Sequence, residues 1–311
     1  LRGRLWRPQP PAQGGPAGRT EHVMAKVREN DAGKPAQRTM TPFDDIYDQT
    51  DPRAFYRELG AFGYRTPHHA QRIFRRLAAL RLRAPGDAVL DLCCSYGINA
   101  ALLNHDLTLD DLYAHYTSPR AAAMTTEELA EHDRSFFRAR RRRDAVPVIG
   151  LDIAPNAIAY ARAVGLLDDG YAENLETAPP TRDLLDAARS IRLITITGGA
   201  SFLSRATFQP LLDSARTLPW VAAFVLRTGS YEPIAEHLAG HGLTTETYTG
   251  HTFVQRRFTG AAEQQYAIDA VTAQGQDPEG KESAGHFHTT LHLARPAADA
   301  NTPSLDELVA R

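Results

Sequence analysis

The chain has 311 residues, 42% of them hydrophobic and 23% charged, enough to bury the core of one large α/β domain with additions. Its 35 basic and 37 acidic residues leave a formal net charge of -2, which draws the chain neither to nucleic acid nor to an anionic membrane, so the expected partner is a small molecule. The only two cysteines are adjacent, Cys93 and Cys94, which excludes a disulfide framework and predicts a reducing, cytoplasmic setting; no apolar run reaches the roughly 18 residues of a membrane span.

Residues 1–41 are rich in Pro, Gly, Arg and Gln without apolar periodicity, cannot offset the entropy of ordering, and read as a flexible leader in which Met24 and Met40 are candidate natural starts. Over 42–85, Phe43, Ile46 and Tyr47, then Phe55, Tyr56 and Leu59, then Ile73, Leu77 and Leu80 behind Pro67 recur at helical spacing and predict a helical cap. From 86 to 296 strands and helices alternate. Strand Ala88 to Leu92 leads to helix Ile98 to Leu103, strand Val148 to Asp152 to helix Pro155 to Val164, strand Arg192 to Thr197 to helix Arg205 to Thr217, and strand Val221 to Leu226 to helix Tyr231 to Ala239. Further strands are predicted at Leu243 to Tyr248, Thr252 to Phe258 and Phe287 to Leu293, the source of an antiparallel C-terminal hairpin. Unbroken Val/Ile/Leu runs mean strands covered on both faces, hence a Rossmann-like three-layer α/β sandwich around a mostly parallel, seven-stranded sheet. Two insertions, 106–147 and 260–285, are too long for ordinary loops; the first is also a candidate surface for a protein partner, and 297–311 reads as a tail.

Chemistry concentrates at Val89 to Gly97, Val-Leu-Asp-Leu-Cys-Cys-Ser-Tyr-Gly, an apolar strand that stops at a small-residue turn before a helix and so offers backbone amides to a ligand. Some sixty residues on, Val148-Ile-Gly-Leu-Asp152-Ile is a second apolar strand, ending on a carboxylate before a proline-started helix. Together these residues resemble the class I S-adenosylmethionine-dependent methyltransferase family over roughly 67–296.

The resemblance implies an acidic residue at the end of the first strand, here Asp91, and a second that grips the ribose, here Asp152 beside Ile153. Where the family has Gly-x-Gly-x-Gly, this chain has Cys93-Cys94-Ser95-Tyr96-Gly97, a degenerate form with only the last glycine kept. Cofactor contacts are expected from Asp91, Cys93, Ser95, Gly97, Asp152, Ile153, Thr197 and Glu173 or Asn174. Acceptor contacts are expected from Tyr96, Gly198, Gly199, Ser201 and Phe202, with Arg227 in an anion-binding turn. Tyr116, Tyr231 and His237 are the candidate catalytic side chains, since methyl transfer from a sulfonium requires positioning more than a named base.

Plainer accounts compete for other residues. Cys93 and Cys94 suit core filling at a strand end. His286, His288 and His292 share a strand face but have no accompanying ligand pair, so no metal is expected. The arginines of 138–143 follow Glu127, Glu128, Glu131 and Asp133 and read as a balanced, solvated helix. His68, His69, His237 and His241 are candidate general bases that equally suit caps and surface, and Tyr113, His115 and Tyr116 either close over a substrate or pack the insertion.

The activity expected is S-adenosylmethionine-dependent methyl transfer to a small molecule, in keeping with secondary metabolism. Two alternatives stand beside it: cofactor-independent alkyl transfer or ring closure that expels an anion such as sulfate, steadied by arginines, and a non-catalytic scaffold that docks a partner protein.

Overall fold

The computed structural model describes residues 40–41, 43–300 and 303–310, so the expected leader lies, but for its last two residues, outside the described residues. Among the described residues three helices come first: α1 (Asp44–Tyr47), α2 (Arg53–Ala61) and α3 (Thr66–Arg81). Pro67 opens α3, where its missing N–H costs nothing, and Ile73, Phe74 and Leu77 bury one face. After β1 (Ala88–Leu92) and α4 (Ile98–Asn104), the first insertion folds as α5 (Leu109–Tyr116), α6 (Pro119–Ala122) and α7 (Thr126–Arg140). The chain continues through β2 (Val148–Asp152), α8 (Pro155–Ala163), β3 (Asp169–Ala172), α9 (Arg182–Ala188), β4 (Ile191–Ile196) and α10 (Arg205–Ser214). It ends with β5 (Trp220–Leu226), α11 (Glu232–Gly240), β6 (Leu243–Thr247), β7 (Phe253–Arg257), α12 (Ala261–Ala273), β8 (His286–Pro296) and α13 (Leu305–Val309).

The strands form one sheet in the order β3-β2-β1-β4-β5-β8-β6, with β7 also paired to β8. This corrects the expected strand count from seven to eight. The additional strand, β3, is a half-exposed edge of sequence Asp-Gly-Tyr-Ala with no apolar run to mark it. Strands β1 to β5 are parallel, with Leu90 level with Ile149 on one side and Ile194 on the other. The antiparallel part is wider than a hairpin, because β8 runs against β5 along one edge and against β6 and then β7 along the other.

Alternate residues of each strand serve different faces, as a period of two requires. Val89, Leu193 and Ala222 pack under α3, α4 and the insertion, while Leu90, Leu92, Ile194, Ile196 and Val221 pack under α9, α10 and α11. Two arginines of the run at the end of α7 are engaged locally: Arg142 pairs with Asp106 and Asp144, and Arg140 lies over Phe136. The segment read as a tail is docked. Leu305, Leu308 and Val309 are buried, and Arg72 and Arg76 of α3 donate to carbonyls at Glu307, Leu308, Val309 and Ala310.

Candidate functional site

Because β1 to β5 are parallel, their C-terminal ends lie on one edge of the sheet. That edge brings together Asp91, Cys93, Ser95, Gly97, Asp152, Ile153, Thr197, Gly198 and Gly199. The turn after β1 is the decisive local feature. Cys93 (φ 55°) and Ser95 (φ 48°) are the only described non-glycine residues with positive φ, and Gly97 (φ 77°) shares the conformation. The backbone therefore takes left-handed conformations at alternate positions although two of the three residues carry a Cβ. A left-handed non-glycine residue costs about 1–2 kcal/mol, and such strain collects where function fixes the backbone.

Ser95→Gly tests this directly. Relief of the strain, less the entropy glycine adds to the unfolded chain, should raise stability by about 0.5–1 kcal/mol in urea unfolding, whereas Ser95→Ala should not. Nothing is lost with the hydroxyl, since Ser95 Oγ is buried without a partner.

Asp91 is fully buried. Its Oδ1 accepts hydrogen bonds from Asn99 Nδ2 (2.8 Å) and Thr195 Oγ1 (2.8 Å), while Oδ2 has no partner. Burial, partly offset by those two bonds, pushes its pKa up to about 7. Asn99 also donates to Thr197 Oγ1 (2.9 Å), which locks the end of β4 to the start of α4. Asp152 accepts from Ser95 N (2.8 Å) through Oδ2 and from Ala154 N (3.0 Å) through Oδ1, so it holds the strained turn in place; burial raises its pKa as well.

The charged groups felt most strongly here are carboxylates: Asp152 acts on Asp91, Asp48 on Asp152, and Asp152, Asp91 and Glu176 on the Cys93 thiol, whose pKa burial pushes far up. Asp48 arrives from the segment after α1 and caps α8, accepting from Asn156 N (2.8 Å). Apolar surface borders the same edge, with Ile153 39% and Phe202 67% exposed, while among the described residues the other large apolar side chains are almost all covered.

Several expected site residues are engaged elsewhere. The guanidinium of Arg227 pairs with Glu282 (2.5 Å) and donates to Gln276 Oε1 and Asp277 O, so it anchors the second insertion rather than forming an anion-binding turn. The Tyr116 hydroxyl donates to buried Asp133 (2.6 Å) inside the first insertion, and its ring stacks on Tyr56. Tyr231 is buried against His292 with its hydroxyl unpartnered, and the His237 ring of α11 meets that of His241, just past the helix end, edge to face. Glu173 accepts from Thr181 N and Oγ1 at the start of α9, and Asn174 Oδ1 accepts from Glu176 N. Tyr96 is buried, its hydroxyl donating to the carbonyls of Gln49 (2.9 Å) and Ile46 (3.4 Å), which ties the turn to the chain segment above it. Ser201 is exposed in a short 3-10 turn after Gly199.

The shared histidine face of β8 is divided between separate partners, His288 bonding to Thr252 and His292 to Thr247. His69 is neutral near pH 7, burial having lowered its pKa to about 4. Sequence reasoning missed Asn99, Thr195, Glu176, Asp48 and Tyr64. Tyr64 donates to Thr197 O (3.2 Å), and Glu176 caps α10 by accepting from Ser204 and Thr207.

The strand order gives a Rossmann-like α/β fold around one mostly parallel sheet, as the alternation of strands and helices implies. No family model matches the sequence, and no curated protein does. Among solved structures, the chain is similar to the plantazolicin methyltransferase BamL in complex with a triazolic desmethylPZN analog and SAH, at 14% identity over 88% of this chain and 99% of that one, with a TM-score of 0.42. It is also similar to the [4+2]-cyclase SpnF, at 11% identity over 90% and 94% with a TM-score of 0.37. A third likeness is to magnesium protoporphyrin IX methyltransferase from Synechocystis PCC 6803, at 12% identity over 88% and 99% with a TM-score of 0.35. Likenesses at this level assign no activity.

Among the described residues, no helix is long and apolar enough to cross a membrane.

Proposed function

We propose that the chain binds S-adenosylmethionine at the ends of β1 and β2 and catalyses transfer of its methyl group to a small-molecule acceptor. The observation that carries this reading is the acidic character of the strand-end site, in which buried Asp91 keeps one carboxylate oxygen without a partner beside a turn shaped as a glycine turn. Such a site favours a ligand that brings positive charge and hydrogen-bond donors. Asp91 Oδ2 and Ser95 Oγ suit the amino-acid end, and Asp152 with Ile153 suits the ribose and base. When bound, the cofactor supplies an activated methyl and its own leaving group, so the residues of the chain need only bind, align and exclude water.

Arg227 bears on the alternative of expelling an anion. Its guanidinium is committed to Glu282, Gln276 and Asp277, which leaves it no role at a departing sulfate.

Calorimetric titration with S-adenosylmethionine tests the proposal. Saturable binding is expected, weakened by about 1–3 kcal/mol in Asp152→Ala. No heat and no thermal shift at millimolar ligand would overturn it. The pH dependence has a definite sign. A cation binds the ionised form of a carboxyl that titrates near 7, so affinity should rise with pH up to that point, fall by up to about tenfold per unit below it, and lose this dependence in Asp91→Asn.

A further inference from the structure

The first insertion contains a side-chain cluster that methyl transfer does not use. Asp133, on α7, is completely buried. His115 Nε2 of α5 lies 2.7 Å from its Oδ1, and His132 Nδ1 of α7 lies 3.8 Å from the same oxygen. All three ligand atoms fall within 4.8 Å of one another, the only such group of His, Cys, Asp and Glu among the described residues.

The surroundings have the features of a metal centre. The second oxygen of Asp133 accepts from Tyr116 Oη (2.6 Å) and Tyr160 Oη (2.7 Å), which fixes the carboxylate and leaves Oδ1 for a ligand. Outer hydrogen bonds of this kind orient first-sphere carboxylates. His132 Nδ1 is buried with no hydrogen-bond partner, a cost that a bound cation would remove. Phe136 stacks on the His115 ring at 4.1 Å and shields one side.

We infer that His115, His132 and Asp133 form a binding site for a divalent transition cation of the zinc type, which clamps α5 and α7 of the insertion to Tyr160 on α8. Two imidazoles and one carboxylate suit such a cation, with a fourth position left to water. Metal–ligand bonds of about 2.0–2.2 Å place neighbouring ligand atoms roughly 3–3.6 Å apart, so His115 and Asp133 must part slightly and His132 must approach slightly. The two imidazoles are stacked at 11°, so His132, whose side chain is 26% exposed, must also turn about its Cβ–Cγ bond to bring the cation into its ring plane.

The test uses the full chain with Zn2+ and Co2+ alone. The expected result is a rise in melting temperature of about 5 °C at a hundredfold excess of Zn2+ over its dissociation constant, with visible d–d absorption from Co2+. His132→Ala should abolish both while leaving the metal-free melting temperature nearly unchanged. His241→Ala, which breaks the imidazole pair at the end of α11, should leave both responses intact. Absence of both responses in the unmodified chain, or their persistence in His132→Ala, overturns the inference.

Discussion

Glu263→Ala should lose about 3–5 kcal/mol of stability, visible as a large fall in the urea midpoint. Glu263 and Arg256 form a two-pronged ion pair (2.8 and 3.0 Å) in which both side chains are buried. The carboxylate also accepts from the amides of Thr41 and Thr259, and the guanidinium lies over Phe43 and Phe287, so one pair fastens the N-terminal segment, β7, α12 and β8. Removing the acid leaves a buried, unpaired guanidinium, and that is where most of the loss arises. Replacing both residues with apolar ones of similar size, Arg256→Met with Glu263→Leu, should recover most of it. The pair also fixes a pH dependence. The bonds from Arg256 hold Glu263 down at about 2 against burial, so its contribution is complete above its ordinary value of 4.5 and is lost as pH falls towards 2. Acid unfolding of Glu263→Gln should lack this component.

Gly199→Ala is expected to cost about 2–4 kcal/mol for two separable reasons. Gly199 has φ 75°, and a Cβ there would lie 2.6 Å from Cys93 Sγ and 2.9 Å from Cys93 Cβ. The strand ends of β1 and β4 thus meet through a thiol on one side and a bare backbone on the other. Cys93→Gly in the same chain should relieve the collision but not the left-handed strain at position 199. A double-mutant cycle in urea should therefore show favourable coupling of about 1–2 kcal/mol. Additive effects would mean that the two turns move apart freely.

Much of the architecture is legible in residue patterns. β1 and β2 have the boundaries that their apolar runs and flanking Gly and Pro imply, and the Gly165 stop after α8 is a left-handed glycine. The edge strand β3 was not legible, because a half-exposed Asp-Gly-Tyr-Ala lacks both an apolar run and an alternation. Helix α9 was missed as well; its start depends on Thr181 and Glu173 meeting across a loop.

At the site, residue identity pointed to Asp91, Asp152 and the turn between them, but not to the turn's shape. Cys93 and Ser95 look like departures from a glycine motif, and only the backbone shows that they take the conformation glycine would have. Arg227 misled for a different reason. Its position at the end of β5 fits an anion site, while the loop that consumes it lies some fifty residues downstream. Tyr116 likewise meets its partner Asp133 through the packing of α5 on α7, which no local spacing announces.

The placement of β8 carries a consequence for biosynthesis. This strand, which follows β5, β6 and β7 in the chain, sits between β5 and β6, both of which emerge from the ribosome earlier. Until residues 286–296 are free, β5 exposes an unpaired edge of Val, Phe and Leu, and the nascent protein can join with other chains there. Completion of the sheet is therefore a late, long-range closure, and a helper that shields the waiting edge of β5 would raise the yield of correctly folded product.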